Sequence, residues 1–207
     1  MDVTSILIAF LILLASLTVH EAAHAWTADR LGDPTARLLG RVSLNPIVHI
    51  DLIGTVILPL LAAFSGLPII GWAKPVPVNT SRLGHPRRDF VLVAAAGPAS
   101  NIVLAIMAAA ALRIGGGLGE TAATVNVTGI LTFFVYVNVL LALFNMIPVP
   151  PLDGGNVLAG LLPRGPAETF ARLRPYGFIV LYALMISGAL SAMIGPPANL
   201  FMRLLLQ

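Results

Sequence analysis

Residues 3–24 read VTSILIAFLILLASLTVHEAAH, and the rest of the chain is interpreted from this stretch. Between Val3 and Val19 the only polar groups are Thr4, Ser5, Ser16 and Thr18, and none is charged. At 1.5 Å per helical residue, positions 3–19 cover about 26 Å, close to the ~30 Å hydrocarbon thickness of a bilayer. The run ends on three ionisable side chains, His20, Glu21 and His24. In a helix His20 and His24 project from one face about 6 Å apart along the axis and can grip one ion together, while Glu21 is turned by about 100° and stands beside that ion. On a soluble helix such a pair would be an ordinary surface feature. At the end of an apolar span ionisable groups are costly and mark function. The H-E-x-x-H spacing is that of a zinc hydrolase, with two imidazole ligands and a carboxylate that handles the proton of the attacking water.

The composition agrees with a membrane setting. Of 207 residues, 57% are hydrophobic and 10% charged, with a mean hydropathy of +0.93, whereas soluble domains carry roughly 25% charged residues. The chain therefore reads as a compact polytopic membrane protein, one domain over residues 1–207. Its net charge of +3 comes from Arg and Lys in connecting segments, where they orient the protein and meet anionic lipid. Nucleic acid is not needed to explain them. With no cysteine there is no thiolate ligand, so a zinc ion would be held by His and carboxylate. The start, Met1-Asp2-Val3-Thr4, lacks a basic leader region, and the apolar run reads as a retained span.

Outward from the first helix, Asp2 to Leu31, the sequence predicts a stop at Gly32-Asp33-Pro34. From Thr35 to Leu44 apolar and polar residues alternate with a period of two, which predicts a short membrane-associated strand ending at Asn45-Pro46. Ile50 to Ile70 is apolar but interrupted by Gly54, Pro59, Gly66 and Pro68. Residues 71–79 contain two prolines two apart and must be extended, with Trp72 as an interface anchor or a packing residue. Full spans follow at Phe90 to Leu112 and Val125 to Met146, joined by Gly115-Gly116-Gly117. A non-helical Pro148 to Gly155 stretch then leads into a short helix. A last span, Tyr176 to Ile194, precedes Gly195-Pro196-Pro197 and an amphipathic tail.

Charge placement bears on topology. If Ile50 to Ile70 crossed the membrane, Arg30, Arg37 and Arg41 would lie opposite Lys74, Arg82, Arg87 and Arg88. If it dips in and returns, these seven and Arg164, Arg172 and Arg174 share one side, leaving mainly Arg113 on the other. The positive-inside rule favours the second arrangement: four full spans plus one re-entrant segment, both termini outside, loops in the cytoplasm. Re-entrant backbone needs protein or a wet cavity to satisfy it.

Two histidines leave a catalytic zinc one protein ligand short. The available carboxylates are Asp29, Asp33, Asp51, Asp89, Glu120, Asp153 and Glu168, with His49 and His85 as spare imidazoles. Asp153 is the strongest candidate, because the proline-broken end of the Val125 to Met146 span reaches the same depth as His24. Its competing role is that of a helix cap. His49 has three open roles: orienting a ligand, contacting substrate, or an ordinary hydrogen bond. Asn101 and Asn138 read as amides that fasten helices together, and the Arg82, Arg87, Arg88 group reads as a lipid-facing positive cluster.

Three stretches together, His20-Glu21-Ala22-Ala23-His24, Gly97-Pro98-Ala99-Ser100-Asn101 and Asn145 to Gly154 (NMIPVPPLDG), resemble the signatures of the site-2 protease family of intramembrane zinc metalloproteases. The similarity runs over nearly the whole chain and is greatest to its minimal bacterial and archaeal branch, without PDZ or CBS domains. The resemblance implies one Zn2+ per chain on His20, His24 and Asp153, Glu21 as general base, and Asn145 in contact with substrate or the oxyanion. It also implies transmembrane protein substrates received at the predicted strand, and an active site near the cytoplasmic side of the cell membrane. The alternative is a divalent-metal transporter, since some carriers also place H-E-x-x-H in a membrane helix. Transport needs polar ligands through the bilayer, and the two middle spans offer Asn101, Thr132 and Asn138 but no carboxylate. A catalytically dead scaffold is disfavoured by the intact Glu21.

Overall fold

The computed structural model describes residues 3–66, 71–115 and 122–207. In chain order its α-helices are α1 (Val3–Arg30), α2 (Thr35–Leu38), α3 (Leu58–Ser65), α4 (Pro86–Gly115), α5 (Ala122–Asn145), α6 (Asp153–Leu161), α7 (Arg164–Ala171), α8 (Gly177–Ile186) and α9 (Ala189–Leu206). Among the described residues there is no strand. Four of the described helices are long and apolar enough to cross a membrane: α1, α4, the Asn126–Asn145 part of α5, and α9.

These four alternate in sense. On α1 and α4, His24 meets Val93 while Ser16 meets Asn101, so the two helices run antiparallel. Asn101 in turn meets Asn138 of α5. Farther from His20, the small residues Ala105, Ala108 and Ala109 of α4 pack against Val135 and Val139 of α5 and Ala198 of α9. Small side chains let helix backbones approach closely where lipid offers no hydrophobic drive. Arg113 Nη2 donates to the Leu204 carbonyl at 3.3 Å, which sets the C-terminal end of α9 beside that of α4.

The predicted strand is corrected. Thr35–Leu38 forms a helical turn, and 39–45 is irregular. The alternation is misleading because burial runs against it: Arg41 is inside, whereas Leu38, Leu39, Val42 and Leu44 are exposed. Gly40, at φ 69°, turns the chain out of extended geometry.

The apolar segment after Ile50 begins as a π-helical turn, Leu52–Ile57, and continues into α3. Asp51 accepts from the Ile53 and Gly54 amides at its start. Together they make fourteen helical residues, 52–65, about 21 Å long at 1.5 Å each. The chain comes back to where it left. Trp72 N donates to the Gly54 carbonyl at 3.0 Å, the Thr55 hydroxyl donates to the Trp72 carbonyl at 2.9 Å, and Lys74 N donates to the His49 carbonyl at 2.9 Å. The Gly66-Leu67-Pro68 break has only its first residue described, Gly66 in the left-handed region. The Trp72 ring lies against Phe178 of α8, with centroids 5.7 Å apart.

The last span is also corrected. Tyr176 to Ile194 is divided at Gly188, whose φ of 76° is open to glycine at little cost. Helix α9 then runs through Gly195-Pro196-Pro197, which had read as a stop. The two prolines remove helical donors, but Ala198, Phe201 and Met202 just beyond them pack on α4 and α5, so tertiary contact carries the helix past its local breaker.

Candidate metal centre

Helix periodicity puts His20 and His24 on one face of α1, and the turn after α5 brings Asp153 to them. Val149 N donates to Ile147 O at 2.7 Å and Leu152 N to Val149 O at 3.0 Å. This tight winding through Pro148, Pro150 and Pro151 leaves Asp153 as the first residue of α6. Arg87 of α4 fastens the other end of α6 by donating to the Gly160 and Leu162 carbonyls, so at least this member of the predicted lipid-facing group has a task in the fold. His20 Nε2 lies 3.0 Å from His24 Nε2 and 3.1 Å from Asp153 Oδ2, and His24 Nε2 lies 3.3 Å from the same oxygen.

The protons of this triangle can be placed from its surroundings. The Val93 carbonyl, 2.7 Å from His24 Nδ1, can only accept, so Nδ1 carries a hydrogen, and in the neutral imidazole Nε2 is then bare. For His20 the neighbour is Asn101 Oδ1, 2.6 Å from Nδ1, and His20 Nε2 is bare in the same way. With both imidazoles neutral, two lone pairs and a carboxylate oxygen converge. Repulsion of that kind is relieved by a cation, and the residues fit zinc: bonds of about 2.0–2.1 Å at tetrahedral angles separate donor atoms by about 3.3 Å. Both histidines also have the outer hydrogen-bond partner that metal-bound imidazoles use to fix their tautomer.

Gly97 makes this closeness possible. A β-carbon there would overlap Nε2 of both histidines, so the imidazoles rest on bare α4 backbone. The sequence marked Gly97 only as part of a motif. It read Asn101 and Asn138 as helix fasteners, which their bonds between α1, α4 and α5 bear out, and the structure in addition joins Asn101 to His20 directly and Asn138 through Asn101. The signal available was spacing: Gly97 and Asn101 lie four apart on α4, as Ser16 and His20 do on α1.

Most other candidate ligands are engaged elsewhere. Asp29 pairs with Arg37 at 3.1 Å. Asp33 accepts from Thr35 and from the Asn79 amide, Asp51 caps the turn after it, and Asp89 accepts from the His85 amide. Glu168 is exposed on α7, and Glu120 lies outside the described residues. His49 has taken its plainest role: Nε2–H donates to the Ser43 carbonyl at 2.8 Å, and Nδ1 faces the Arg41 guanidinium at 3.5 Å. Arg41, which also donates to the Lys74 carbonyl, is buried; burial draws its pKa down, and the nearby Glu21 carboxylate opposes this. The Asn145 side chain does not join the triangle. Its Nδ2 donates to the Leu141 carbonyl of its own helix at 3.0 Å.

A helix carrying H-E-x-x-H whose imidazoles meet an aspartate from a Leu-Asp-Gly turn is a metalloprotease arrangement, and comparison with known proteins agrees. The model of peptidase family M50 matches residues 113–187, which hold Asn145 and Asp153. "Putative zinc metalloprotease YwhC" of Bacillus subtilis is 39% identical over 190 residues, 90% of this chain and 84% of the relative. "Putative zinc metalloprotease Rip2" of Mycolicibacterium smegmatis is 32% identical over 179 residues, 86% of this chain and 66% of the relative.

The chain belongs to peptidase family M50.

The family resemblance read from the three motifs thus holds, and with it the metalloprotease activity; His20, His24 and Asp153 form a group that could hold a metal ion. Four apolar helices in an M50 protein make it a multi-pass membrane protein. The transporter reading finds no support among these relatives. "Putative zinc metalloprotease Rip3" of Mycobacterium tuberculosis is 30% identical over 152 residues, but only 30% of that relative is covered. No solved structure matches.

Proposed function

We propose that this M50 protein hydrolyses peptide bonds within or near transmembrane segments of other membrane proteins, with one zinc ion held by His20, His24 and Asp153. The observation that carries the proposal is the triangle of two Nε2 atoms and one carboxylate oxygen, 3.0–3.3 Å on its edges, at the end of an apolar helix. Bound there, zinc supplies a Lewis acid for the scissile carbonyl and for the attacking water. Glu21, one residue from His20, takes a proton from that water as its oxygen bonds to the carbonyl carbon, then delivers it to the departing nitrogen as the C–N bond breaks. Asn145 keeps one Nδ2 hydrogen free beyond its bond to Leu141, and we assign that hydrogen to substrate.

A cavity of about 360 Å³ supports the route of entry. It lies between Val19, Ala22, Ala23 and Trp26 of α1 and the loop Val42-Ser43-Leu44, next to Glu21. A membrane helix hides its peptide bonds in its own hydrogen bonds, so a target must unwind before it can be cut. The irregular loop offers main-chain groups to an unwound segment, and the apolar lining accepts its side chains.

The hydrogen bonds joining Gly54, Thr55 and His49 to Trp72 and Lys74 support a segment that enters the membrane and returns. On that topology all of the twelve Lys and Arg residues except Arg113 and Arg203 lie at the His24 end of the bundle. The positive-inside rule then puts this end, and the site, on the cytoplasmic side. We take residues 1–207 as one catalytic domain in the cell membrane.

The test is metal content and cleavage of a panel of single-span substrates by detergent-purified wild type, Glu21→Gln and Asp153→Ala. The reading expects near-stoichiometric zinc in wild type and Glu21→Gln, weakened zinc in Asp153→Ala, and cleavage in wild type alone. Unchanged zinc in Asp153→Ala would remove that residue as a ligand, and cleavage by Glu21→Gln would remove Glu21 as the base.

A further inference from the structure

The hydrogen bond received by Asn101 from His20 is the last of a buried series that crosses three helices. Asn101 Nδ2 donates to Asn138 Oδ1 of α5 at 2.9 Å and lies 3.4 Å from the Ser16 carbonyl of α1. Asn138 Nδ2 donates to the Phe134 carbonyl and to the Ser16 hydroxyl, both at 2.9 Å. Ser16, Asn101 and Asn138 are all fully buried.

The direction of this series is set at each amide by a main-chain carbonyl, Phe134 for Asn138 and Ser16 for Asn101. A carbonyl can only accept, so Phe134 O holds the Asn138 amide with Nδ2 toward it and Oδ1 toward Asn101. That oxygen, with the Ser16 carbonyl, demands Nδ2 from Asn101 and leaves Oδ1 facing His20. Oδ1 then demands a hydrogen on His20 Nδ1, which strips Nε2 for the metal. Turning either amide over would set acceptor against acceptor in a buried site, at a cost of about 1–3 kcal/mol per unmatched group. His24 needs no such device, because its outer partner is the Val93 carbonyl itself. The His20 arm alone depends on side chains that can rotate.

Resting on the zinc reading above, we propose that Asn138 is a positioning residue of the metal site: acting through Asn101, it holds His20 in the tautomer that presents a bare Nε2. The side chain two hydrogen bonds away from the imidazole therefore sets zinc affinity. Helix fastening alone would make Asn138 matter for stability and leave the metal unaffected. The two roles separate experimentally.

The experiment is competition for zinc between a chromophoric chelator and detergent-purified full chain, for wild type, Asn138→Leu, Asn138→Asp, Asn101→Leu and the Asn101→Leu/Asn138→Leu double variant. Leu matches Asn in size but accepts nothing, and Asn138→Leu is expected to weaken zinc by about tenfold to a hundredfold, as outer partners of metal ligands do. Asp in its neutral form keeps an O–H toward the Phe134 carbonyl and an acceptor toward Asn101, and is expected to lose less zinc affinity than Leu. In the Asn101→Leu background the Asn138→Leu change is expected to add no further loss, because residues acting through one another are not additive. Wild-type affinity in Asn138→Leu, or full additivity in the double variant, overturns the relay. A second measurement needs no variant: with 15N-labelled histidine, zinc-loaded wild type is expected to show His20 protonated at Nδ1, and an Nδ1 without a hydrogen overturns the relay. Absence of zinc from wild type itself would instead overturn the function proposed above.

Discussion

Gly97 of α4 lies so close to His24 of α1 that a β-carbon on it would overlap the imidazole Nε2. Gly97→Ala is therefore expected to push both histidines off their positions. Forcing an extra carbon into a packed site costs about 1–3 kcal/mol, which corresponds to roughly 5- to 150-fold in zinc affinity. Chelator competition reads this directly. Leu92→Ala, at a half-exposed position of the same helix, is the control and is expected to bind zinc as wild type does.

Glu21 stands beside the donor triangle and holds none of its corners. Glu21→Gln is expected to keep zinc within about twofold while kcat falls by about 10²- to 10⁴-fold, the usual contribution of a positioned proton-transfer group. Parallel metal analysis and single-turnover cleavage would check the pair of outcomes. Loss of zinc together with activity would show that Glu21 supports the site instead of the proton transfer.

The closure of the chain at Gly54 and Trp72 makes a topological prediction. The protein has no cysteine, so single cysteines can be introduced without removing any. Leu39→Cys and Ser81→Cys flank the segment at exposed positions, and Ile114→Cys sits at the far end of α4. In sealed vesicles an impermeant thiol reagent is expected to label the first two from one side and the third from the other. Labelling of positions 39 and 81 from opposite sides would mean that the segment crosses.

Asp33 links the end of α1 to the extended segment before α4. Burial alone would raise its pKa, but hydrogen bonds from the Thr35 hydroxyl and amide and the Asn79 amide outweigh this and hold it below the usual 3.8. A carboxylate depressed in the folded state adds stability that is present above about 3.8 and is lost as pH falls through the folded value. Metal-free wild type is thus expected to lose Tm below about pH 4 more steeply than metal-free Asp33→Asn, which starts lower. Thermal unfolding in detergent between about pH 3 and pH 6 tests this, and parallel curves would count against it.

Arg41 is a buried cation with one donor, Nε, that has no partner among the described residues. Its other contacts fasten the loop beside the cavity to the Lys74 carbonyl and His49. Arg41→Leu is expected to destabilise the protein by about 1–3 kcal/mol, since it leaves a carbonyl unmatched. It is also expected to raise KM more than it lowers kcat, because the loop borders the proposed substrate groove. Unchanged KM would separate the loop from substrate binding.

The sequence by itself determined the features that depend on near neighbours in the chain. The apolar runs gave α1, α4 and most of α5 to within a few residues, since every backbone group in a membrane span must bond within its own helix. The 3.6-residue period put His20 and His24 on one face and Glu21 beside them. Tertiary structure decided what depends on distant contacts. Local alternation from Thr35 to Leu44 predicted a strand, but a strand needs a partner edge, and burial of Arg41 set the opposite face inward. Gly195-Pro196-Pro197 read as a stop, yet packing of Ala198 on α4 and α5 continued the helix, while Gly188, unremarked in the sequence, made the break. The meeting of Asp153 with two histidines more than a hundred residues earlier, the bare α4 backbone at Gly97 and the amide series through Asn101 and Asn138 exist only where three helices touch. No periodicity along one helix encodes which side chain of another will face it.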